Sequence, residues 1–294
     1  MSIDVTIRQK GLFQKRLPLE VILGETLQYG SFENGLSLAP DRLGKGFFIA
    51  YEPAQPARGI TVGWRPGVIR EVTLRLLNPT TDREIRCFFD SIGRIVQFWH
   101  CDVLIEGEKQ KLPLKEEIID ERIRWNREVL AAILRQVAEA ENGPLCLNCA
   151  LFPLHIGPKT AKMLLEQGCD GFAKYLTLQQ KDAFYASPHV YQEPGTDRIV
   201  GFYALTEGVR SILPIDPDAL LKMPGAENIV VEEWNVFLGI ESRENNDAGR
   251  FPCIPYQALW ERLPAGKLRR FDAVCNLIER LTHEEMIALL DPGA

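Results

Sequence analysis

Residues 78–99 read NPTTDREIRCFFDSIGRIVQFW, and within this stretch the apolar residues change from the spacing of a strand to that of a helix. Thr81 or Asp82 suits the N-cap position, and Asp82 and Glu84 then lie near the positive end of the helix dipole. The apolar residues recur on one side, at Ile85, Phe88, Phe89, Ile92, Ile95 and Val96. The stretch therefore predicts an amphipathic helix that follows a strand.

The residues before this helix predict several short strands. Ile3, Val5 and Ile7 alternate with polar neighbours, so the chain opens as a strand and not as a signal peptide. Between Leu17 and Tyr29 the apolar spacing predicts a helix. Further candidate strands, separated by Gly and Pro, are 36–38, 47–52, 60–65 and 72–77.

The residues after the helix begin with DVLIEGEKQKL (102–112), which predicts a hairpin that turns at 106–108. Strands, a helix and a hairpin in this order predict an α+β fold, with mostly antiparallel sheets and helices packed on one face. Residues 114–141 then predict a long helix, which ends at the Asn-Gly-Pro of 142–144. We therefore expect two α+β subdomains, residues 1–113 and 114–294, joined by this long helix.

The C-terminal part continues with a short apolar segment at 145–152 and helices near 158–167 and 172–185. Strands are predicted at 198–205 and 228–240, and helices from about residue 256. The densest basic run, Lys267, Arg269 and Arg270, is placed on one of these last helices as a solvated face.

Charge is spread unevenly along a chain with a formal net charge of −6. Residues 1–113 carry 15 basic and 13 acidic side chains, whereas residues 114–294 carry 19 basic and 27 acidic ones. The acidic C-terminal part repels nucleic acid and anionic membranes, so neither is an expected partner. It serves either as ordinary solubility charge or as a docking surface for a basic partner. No apolar stretch is long enough to span a membrane, so a cytoplasmic protein is expected.

The segment LCLNCALFPLH (145–155) is the main candidate for chemistry. A zinc site here would use Cys146, Cys149, His155 and Cys169, because thiolates and imidazole are the ligands that zinc prefers. The first pair has suitable spacing, but no second tight pair follows. A redox site needs a helix that begins at the cysteines, and Pro153 breaks the segment instead. Buried packing is the favoured interpretation, and no metal or cofactor is expected.

Other catalytic and binding motifs are missing from the sequence. The chain has four histidines and neither a G-x-S-x-G nor an H-E-x-x-H motif, so a cysteine and histidine site would have to be assembled from distant residues. Trp64 stands next to Arg65 and suits ligand stacking, but its register with Ile60 and Val62 favours the core.

Three features resemble a bacterial family of domains of unknown function of about this length. They are the opening strand, RGITVGW at 58–64 and NPTTDREI at 78–85, so the resemblance covers chiefly residues 1–113. It implies a bacterial, cytoplasmic unit that spans the whole chain. The resemblance implies no activity, and no functional residues are carried over from it.

These observations predict a soluble, non-enzymatic protein that binds another protein or acts as an accessory to one. Two alternatives stay open. The first is an enzyme that brings a cysteine and a histidine together from distant parts of the chain. The second is a structural protein stabilised by zinc at Cys146 and Cys149.

Overall fold

The structure, a computed structural model, describes residues 1–10, 14–32, 37–101, 103–105, 108–110, 116–139, 143–181, 183–221, 230–240 and 252–290. The chain forms two compact units. The first unit consists of Met1–Asn34 and Leu38–Lys181, and the second of Gly35–Ser37 and Asp182–Ala294. The predicted boundary between residues 113 and 114 lies outside the described residues, and the two predicted subdomains stay a prediction.

The described part of the first unit contains ten strands and four helices. The strands are β1 Ser2–Arg8, β2 Gln28–Ser31, β3 Ala39–Pro40, β4 Phe48–Tyr51, β5 Ile60–Gly63, β6 Glu71–Leu77, β7 Val103–Ile105, β8 Glu108–Gln110, β9 Leu145–Leu147 and β10 Leu154–Ile156. The helices are α1 Leu19–Leu23, α2 Asp82–Trp99, α3 Glu116–Glu139 and α4 Pro158–Gln179.

The first eight strands form one sheet in the order β3-β2-β4-β5-β6-β1-β7-β8, and each neighbouring pair is antiparallel. Burial alternates along β1, where Ile3, Val5 and Ile7 are inside and their neighbours are more exposed. The buried face forms one core with the apolar stripe of α2. An α+β fold with helices on one face of an antiparallel sheet is therefore confirmed, and β9 and β10 add a separate hairpin.

The two long predicted helices of this unit are present. The Thr81 hydroxyl caps α2 by accepting a hydrogen bond from the Glu84 N–H at 3.1 Å. Helix α3 lies inside the predicted range of 114–141 and buries Ile123, Leu130 and Leu134. A glycine at residue 168, with φ 66° and ψ −159°, kinks α4 between its two halves.

A buried carboxylate joins two segments of the first unit. Glu84 accepts hydrogen bonds from the backbone N–H of Arg58 at 3.0 Å, from that of Gly59 at 2.7 Å, and from the Thr80 hydroxyl. Burial raises the pKa of Glu84, whereas the Thr80 hydroxyl, the two amides and the Arg58 guanidinium act in the opposite direction. The carboxylate thereby ties the residues before β5 to the start of α2.

Two further side chains complete this polar cluster. The Arg58 guanidinium donates to the carbonyl oxygens of Asn148 at 2.5 Å and Pro79 at 2.9 Å. The Asn126 amide, from α3, pairs with both backbone groups of Thr80 at 2.9 Å. The loop before α2 is therefore held by buried hydrogen bonds from Arg58, which precedes β5, and from Asn126 of α3, and Arg58 also binds the β9–β10 hairpin.

The described part of the second unit contains eight strands, two α-helices and a short 3₁₀ helix at Pro217–Leu220. The strands are β11 Phe184–Tyr185, β12 His189–Gln192, β13 Ile199–Thr206, β14 Ser211–Pro214, β15 Glu233–Gly239, β16 Cys253–Pro255, β17 Leu268–Arg270 and β18 Cys275–Ile278. The helices are α5 Tyr256–Arg262 and α6 His283–Leu290.

These strands form two four-stranded sheets, β11-β14-β18-β17 and β12-β13-β15-β16. In each sheet one pair is parallel, β11 with β14 and β13 with β15, and the other pairs are antiparallel. Helix α6 begins with a capping box, in which Thr282 and Glu285 exchange hydrogen bonds between side chain and backbone. The mostly antiparallel α+β character therefore extends to this unit.

Two helix predictions differ from the structure. The helix predicted over 17–29 ends at Leu23, because Gly24 takes φ 61° and Gln28 begins a strand that pairs with β4. The basic run at 267–270 is not helical: Leu268–Arg270 form β17, which pairs with β18. The residue spacing in such short segments fits a helix as well as a strand. Hydrogen bonding to a partner strand that is distant in sequence determines which of the two forms.

Candidate protein-binding site

The sheet β12-β13-β15-β16 has one face packed against the rest of the second unit. Tyr203, Leu205, Val236 and Leu238 point into this face, and each is fully buried. Tyr256 of α5 packs on Tyr203, with 5.4 Å between the ring centroids. The packing of this buried face against the rest of the second unit keeps the sheet rigid.

Hydrogen bonds fix the aromatic residues of the buried face. The Tyr203 hydroxyl donates to Pro217 O at 2.8 Å, and the Trp234 indole N–H donates to Asp218 Oδ1 at 2.9 Å. The Trp234 ring stacks on Tyr203 at 5.2 Å and crosses β13 at Gly201, where a Cβ atom would lie 2.3 Å from the ring. Burial also raises the pKa of Tyr203, so its hydroxyl stays protonated and keeps donating.

The opposite face of the same sheet carries a row of aromatic side chains, one on each of three neighbouring strands. They are Tyr191 of β12, Phe202 of β13 and Phe237 of β15, and we call them the aromatic row. The ring centroids of Tyr191 and Phe202 are 6.0 Å apart, and those of Phe202 and Phe237 are stacked at 4.3 Å. Tyr191 is 56% exposed, and the other two are partly exposed. A set of contacting aromatic rings that faces solvent on a rigid sheet is typical of a binding surface.

A groove of about 450 Å³ runs along this face. Its lining includes His189, Tyr191, Ala204, Thr206, Phe237 and Gly239. The volume lies within the range of about 300–1,000 Å³ that is usual for binding pockets. The small residues Ala204, within β13, and Gly239, at the end of β15, leave room beside the rings.

The sheet that carries the aromatic row is acidic at the edge where β12 ends and β13 and β15 begin. Arg198 contacts Glu193 at 3.7 Å, Glu232 at 4.0 Å and also Glu233. The Asn235 amide donates to Glu233 at 2.9 Å, and this bond together with Arg198 lowers the pKa of Glu233. Three carboxylates share one guanidinium, so the end of the face carries a net charge of −2. Residues 182–294 as a whole hold 18 acidic and 10 basic side chains.

The predicted zinc ligands Cys146, Cys149, His155 and Cys169 are placed in two regions of the first unit. Cys146 lies on β9, opposite His155 on β10, so their side chains project from the same side of the hairpin. Cys146 is exposed and His155 is buried. Cys169 lies instead on α4, where Asp82 and Arg127 are its charged neighbours.

Cys149 is a buried thiol beside a cation. Burial raises the pKa of Cys149 to about 12, and the Arg58 guanidinium opposes this shift only in part. A thiol of this pKa is protonated at neutral pH, and it is a poor nucleophile and a poor metal ligand in that state. Arg58 also interacts with Cys146, so a metal ion at these two thiols would be repelled by a guanidinium.

Thiol alkylation tests the interpretation of these cysteines. We expect iodoacetamide to modify Cys146 and Cys253 in the native protein within minutes, because both are exposed, and to leave Cys149 unmodified. Peptide mass spectrometry measures each site separately. A strong chelator should leave the rate at Cys146 unchanged. Faster alkylation of Cys146 and Cys149 after chelation would instead support the zinc alternative.

Trp64, the other candidate for ligand binding in the sequence, is a core residue. It is 7% exposed, its indole N–H donates to Leu17 O at 3.2 Å, and its ring packs edge-on against Phe48. The aromatic row was not identified from the sequence, because β12 was not predicted as a strand and Phe237 lies 35 residues beyond Phe202. The alternation in IVGFYALT (199–206) was the available signal, since it predicts one wet face and one buried face.

None of the helices in the described residues combines the length and the apolar character that crossing a membrane requires.

The fold and the site define an α+β protein of two compact units, in which the second unit presents aromatic side chains on an open sheet face. The chain belongs to the family of proteins described as domain of unknown function DUF4299, whose family model matches residues 2–289. The match covers both units, so the family resemblance extends well beyond residues 1–113. Neither a curated protein nor a solved structure was found to match the chain.

Proposed function

We propose that this protein is a non-enzymatic accessory protein that binds an extended, basic segment of a partner protein on the aromatic row. The observation that carries the proposal is the row of contacting, partly exposed rings of Tyr191, Phe202 and Phe237 beside a groove of about 450 Å³. Exposed aromatic rings on a rigid support supply most of the binding energy in many protein interfaces, because they bury a large apolar area at a small entropic cost.

The strand order supports an extended partner. In the described part of the sheet, β12 is an edge strand, paired with β13 on one side. An extended segment can therefore pair with the outer side of β12 and continue the sheet. Alternate side chains of such a segment point toward the groove beside His189 and Tyr191. This geometry gives backbone hydrogen bonds for affinity and side-chain contacts for selectivity.

Charge supports a basic partner. The cluster of Glu193, Glu232 and Glu233 around Arg198, which has a net charge of −2, lies beyond the aromatic row where β12 ends and β13 and β15 begin. A segment that alternates lysine or arginine with apolar residues and runs along β12 can place apolar side chains on the aromatic row and cations near these carboxylates. The excess of acidic residues in 182–294 also speeds the approach of a basic partner and repels an acidic one.

Catalysis by a cysteine and a histidine is not favoured at this face. Cys253 of β16 lies beside Phe237, whereas His189 lies on β12 at the other edge of the sheet. Three strand spacings separate them, which is about 14 Å and well beyond hydrogen-bond reach. Cys146 and His155, which face each other on the β9–β10 hairpin, are one pair that the enzyme alternative could use. The cytoplasm of a bacterium is the setting that we propose for the binding function.

Synthetic peptides test the proposal. A fluorescein-labelled ten-residue peptide that alternates lysine with leucine and phenylalanine should bind, as measured by fluorescence anisotropy. Tyr191→Ser should weaken this binding about tenfold, because a central interface ring is worth more than about 1 kcal/mol. A peptide with glutamate in place of lysine should bind at least about tenfold more weakly. Hydrogen exchange should show new protection of the β12 amides.

Two matched variants control for unspecific binding. Ile287→Ser removes an apolar side chain that is 43% exposed on α6 of the same unit, and it should leave binding unchanged. Glu193→Lys with Glu232→Lys should weaken binding, whereas Glu261→Lys with Glu284→Lys, which makes the same change in net charge on α5 and α6, should not. Equal losses in the test and control variants, or no binding at all, would overturn the proposal.

A further inference from the structure

We infer that the first unit has a second binding site, a basic groove that takes an acidic segment of a partner protein. The groove lies at one end of the eight-stranded sheet, where β1 and β5 end, β6 begins, and the chain approaches the start of β4. Its volume is about 1,140 Å³. The charged residues that line it are Arg8, Arg65, Arg70 and Glu71. The inference goes beyond the proposed function, because it concerns a different unit and a ligand of opposite charge.

The guanidinium groups of this groove differ in what they already bind. Arg8 donates to Glu71 from Nε at 3.1 Å and from Nη2 at 2.7 Å. Arg65 and Arg70 are exposed, and among the residues that the structure describes neither has an acidic partner. Two unpaired guanidinium groups in one groove are suited to carboxylates, which they bind through paired hydrogen bonds.

The surroundings of the groove are also basic. Lys15, Arg16 and Lys45 are exposed, and they lie in segments that adjoin the groove at Gln14 and Gly46. Within the described ranges, these three side chains have no acidic partner either. This concentration of positive charge stands out in a chain with a net charge of −6. Unpaired charges of one sign around a concave surface attract a ligand of the opposite sign.

The rim of the groove is held in place by one side chain. The Gln9 amide donates to Lys15 O and to Ile69 O, each at 2.7 Å, and its oxygen accepts from Lys15 N at 2.8 Å. These bonds tie the residue after β1 both to the segment before α1 and to the residues before β6. The groove is therefore organised before a ligand binds, which lowers the entropic cost of binding.

An acidic polypeptide fits this groove better than a nucleic acid does. Non-specific nucleic-acid binding depends on many phosphate contacts, whereas, within the part of the chain that the structure describes, Arg65 and Arg70 are the two lining guanidinium groups that are not already paired. Single strands also need exposed rings for stacking, and Trp64, the aromatic residue of the lining, is 7% exposed. The carboxylates of an extended peptide can contact Arg65 and Arg70, and its backbone can contact the amide of Gln14.

Labelled peptides of defined sequence test the inference. A ten-residue peptide that alternates glutamate with serine should bind the full-length protein at low ionic strength, as measured by fluorescence anisotropy, and binding should weaken as salt is added. A peptide with glutamine in place of glutamate should bind at least about tenfold more weakly. Arg65→Glu with Arg70→Glu should weaken binding of the glutamate peptide at least about tenfold.

A matched charge reversal distinguishes a specific groove from a general effect of net charge. Lys159→Glu with Lys162→Glu changes the net charge by the same amount on α4, where both lysines are exposed, and it should leave binding within about twofold. Equal losses in the two double variants would overturn the inference, as would no binding to wild type. Tighter binding of a ten-nucleotide oligothymidine than of the glutamate peptide would overturn the choice of ligand.

Binding of the basic peptide used for the aromatic row should be the same in Arg65→Glu with Arg70→Glu as in wild type, because that site lies on the second unit. The two proposals can therefore fail separately. If the Arg65→Glu, Arg70→Glu variant bound neither the basic peptide nor the glutamate peptide, it would be misfolded. The double variant Arg65→Gln with Arg70→Gln would then replace it. The glutamine variant should still lose at least about fivefold in binding of the glutamate peptide, and an unchanged affinity would count against the groove.

Discussion

Glu84→Gln is expected to lower the free energy of unfolding of the first unit by about 3 kcal/mol. The two carboxylate oxygens accept from the backbone N–H groups of Arg58 and Gly59 and from the Thr80 hydroxyl. A glutamine of the same shape has one acceptor oxygen, and its NH₂ group faces a donor. At least one buried amide then loses its partner, and the nearby Arg58 guanidinium loses its counter-charge. Urea denaturation measures the loss.

Glu71→Gln is the matched control, because it removes the same charge from an exposed pair. Glu71 is 47% exposed and accepts from Arg8, so its loss should cost less than about 1 kcal/mol. Hydrogen exchange should assign the destabilisation in Glu84→Gln to β5 and the start of α2. A loss in Glu84→Gln no larger than that in Glu71→Gln would show that the buried carboxylate does not organise this region.

Local sequence patterns were sufficient to predict those helices and strands of the first unit that bury one side and expose the other. In β1 and in α2 the apolar residues repeat with the period of the element, and each element has a clear start, such as the Thr81 cap. Helix α3 was predicted for the same reason, and so was the α+β class. Where local patterns fit two structures, as at 268–270, the partner strand β18 determined the outcome.

The polar cluster of the first unit could not be predicted from sequence. Glu84 was correctly placed in the first turn of a helix, near the positive end of the dipole, but that position is usually exposed. Its partners Arg58 and Gly59 lie 26 and 25 residues away. Asn126 similarly falls among the polar positions of α3, and only its approach to Thr80 explains its burial. Such contacts depend on how elements pack, which a local pattern does not contain.

The aromatic row illustrates the same limit for the candidate site. Tyr191 and Phe202 belong to an antiparallel pair, which alternation makes accessible to prediction. Phe237 joins them because β15 is parallel to β13, and a parallel pair requires a crossover whose course cannot be read from strand spacing. The apolar alternation within β13 is the local signal for one exposed face and one buried face, whereas β12 was not predicted as a strand. The sequence did not indicate that three rings would lie side by side on one face.

The largest expected effect on stability is that of Gly59→Ala, in the segment 58–64 that resembles the family. Gly59 has φ +77°, and a Cβ atom there would lie 2.4 Å from Ile49 Cγ2 and 3.3 Å from the Cβ of Ala150. A side chain at this φ costs about 1–2 kcal/mol, and the overlap with Ile49 adds about 1–3 kcal/mol. We expect the first unit to lose about 4 kcal/mol of unfolding free energy. Urea denaturation measures this change.

Gly143→Ala separates the two parts of that effect. Gly143 also has a positive φ, +62°, but among the described residues no atom outside its immediate chain neighbours lies within 4 Å of a Cβ atom placed there. It should therefore cost only the conformational part, about 1–2 kcal/mol, and the difference between the two variants measures the overlap at Ile49. Ile49→Val with Gly59→Ala should recover part of the loss, since valine has a smaller side chain. Equal losses in the two glycine variants would mean that β4 and the Gly59 turn separate at little cost, and would contradict the close packing from which the prediction is made.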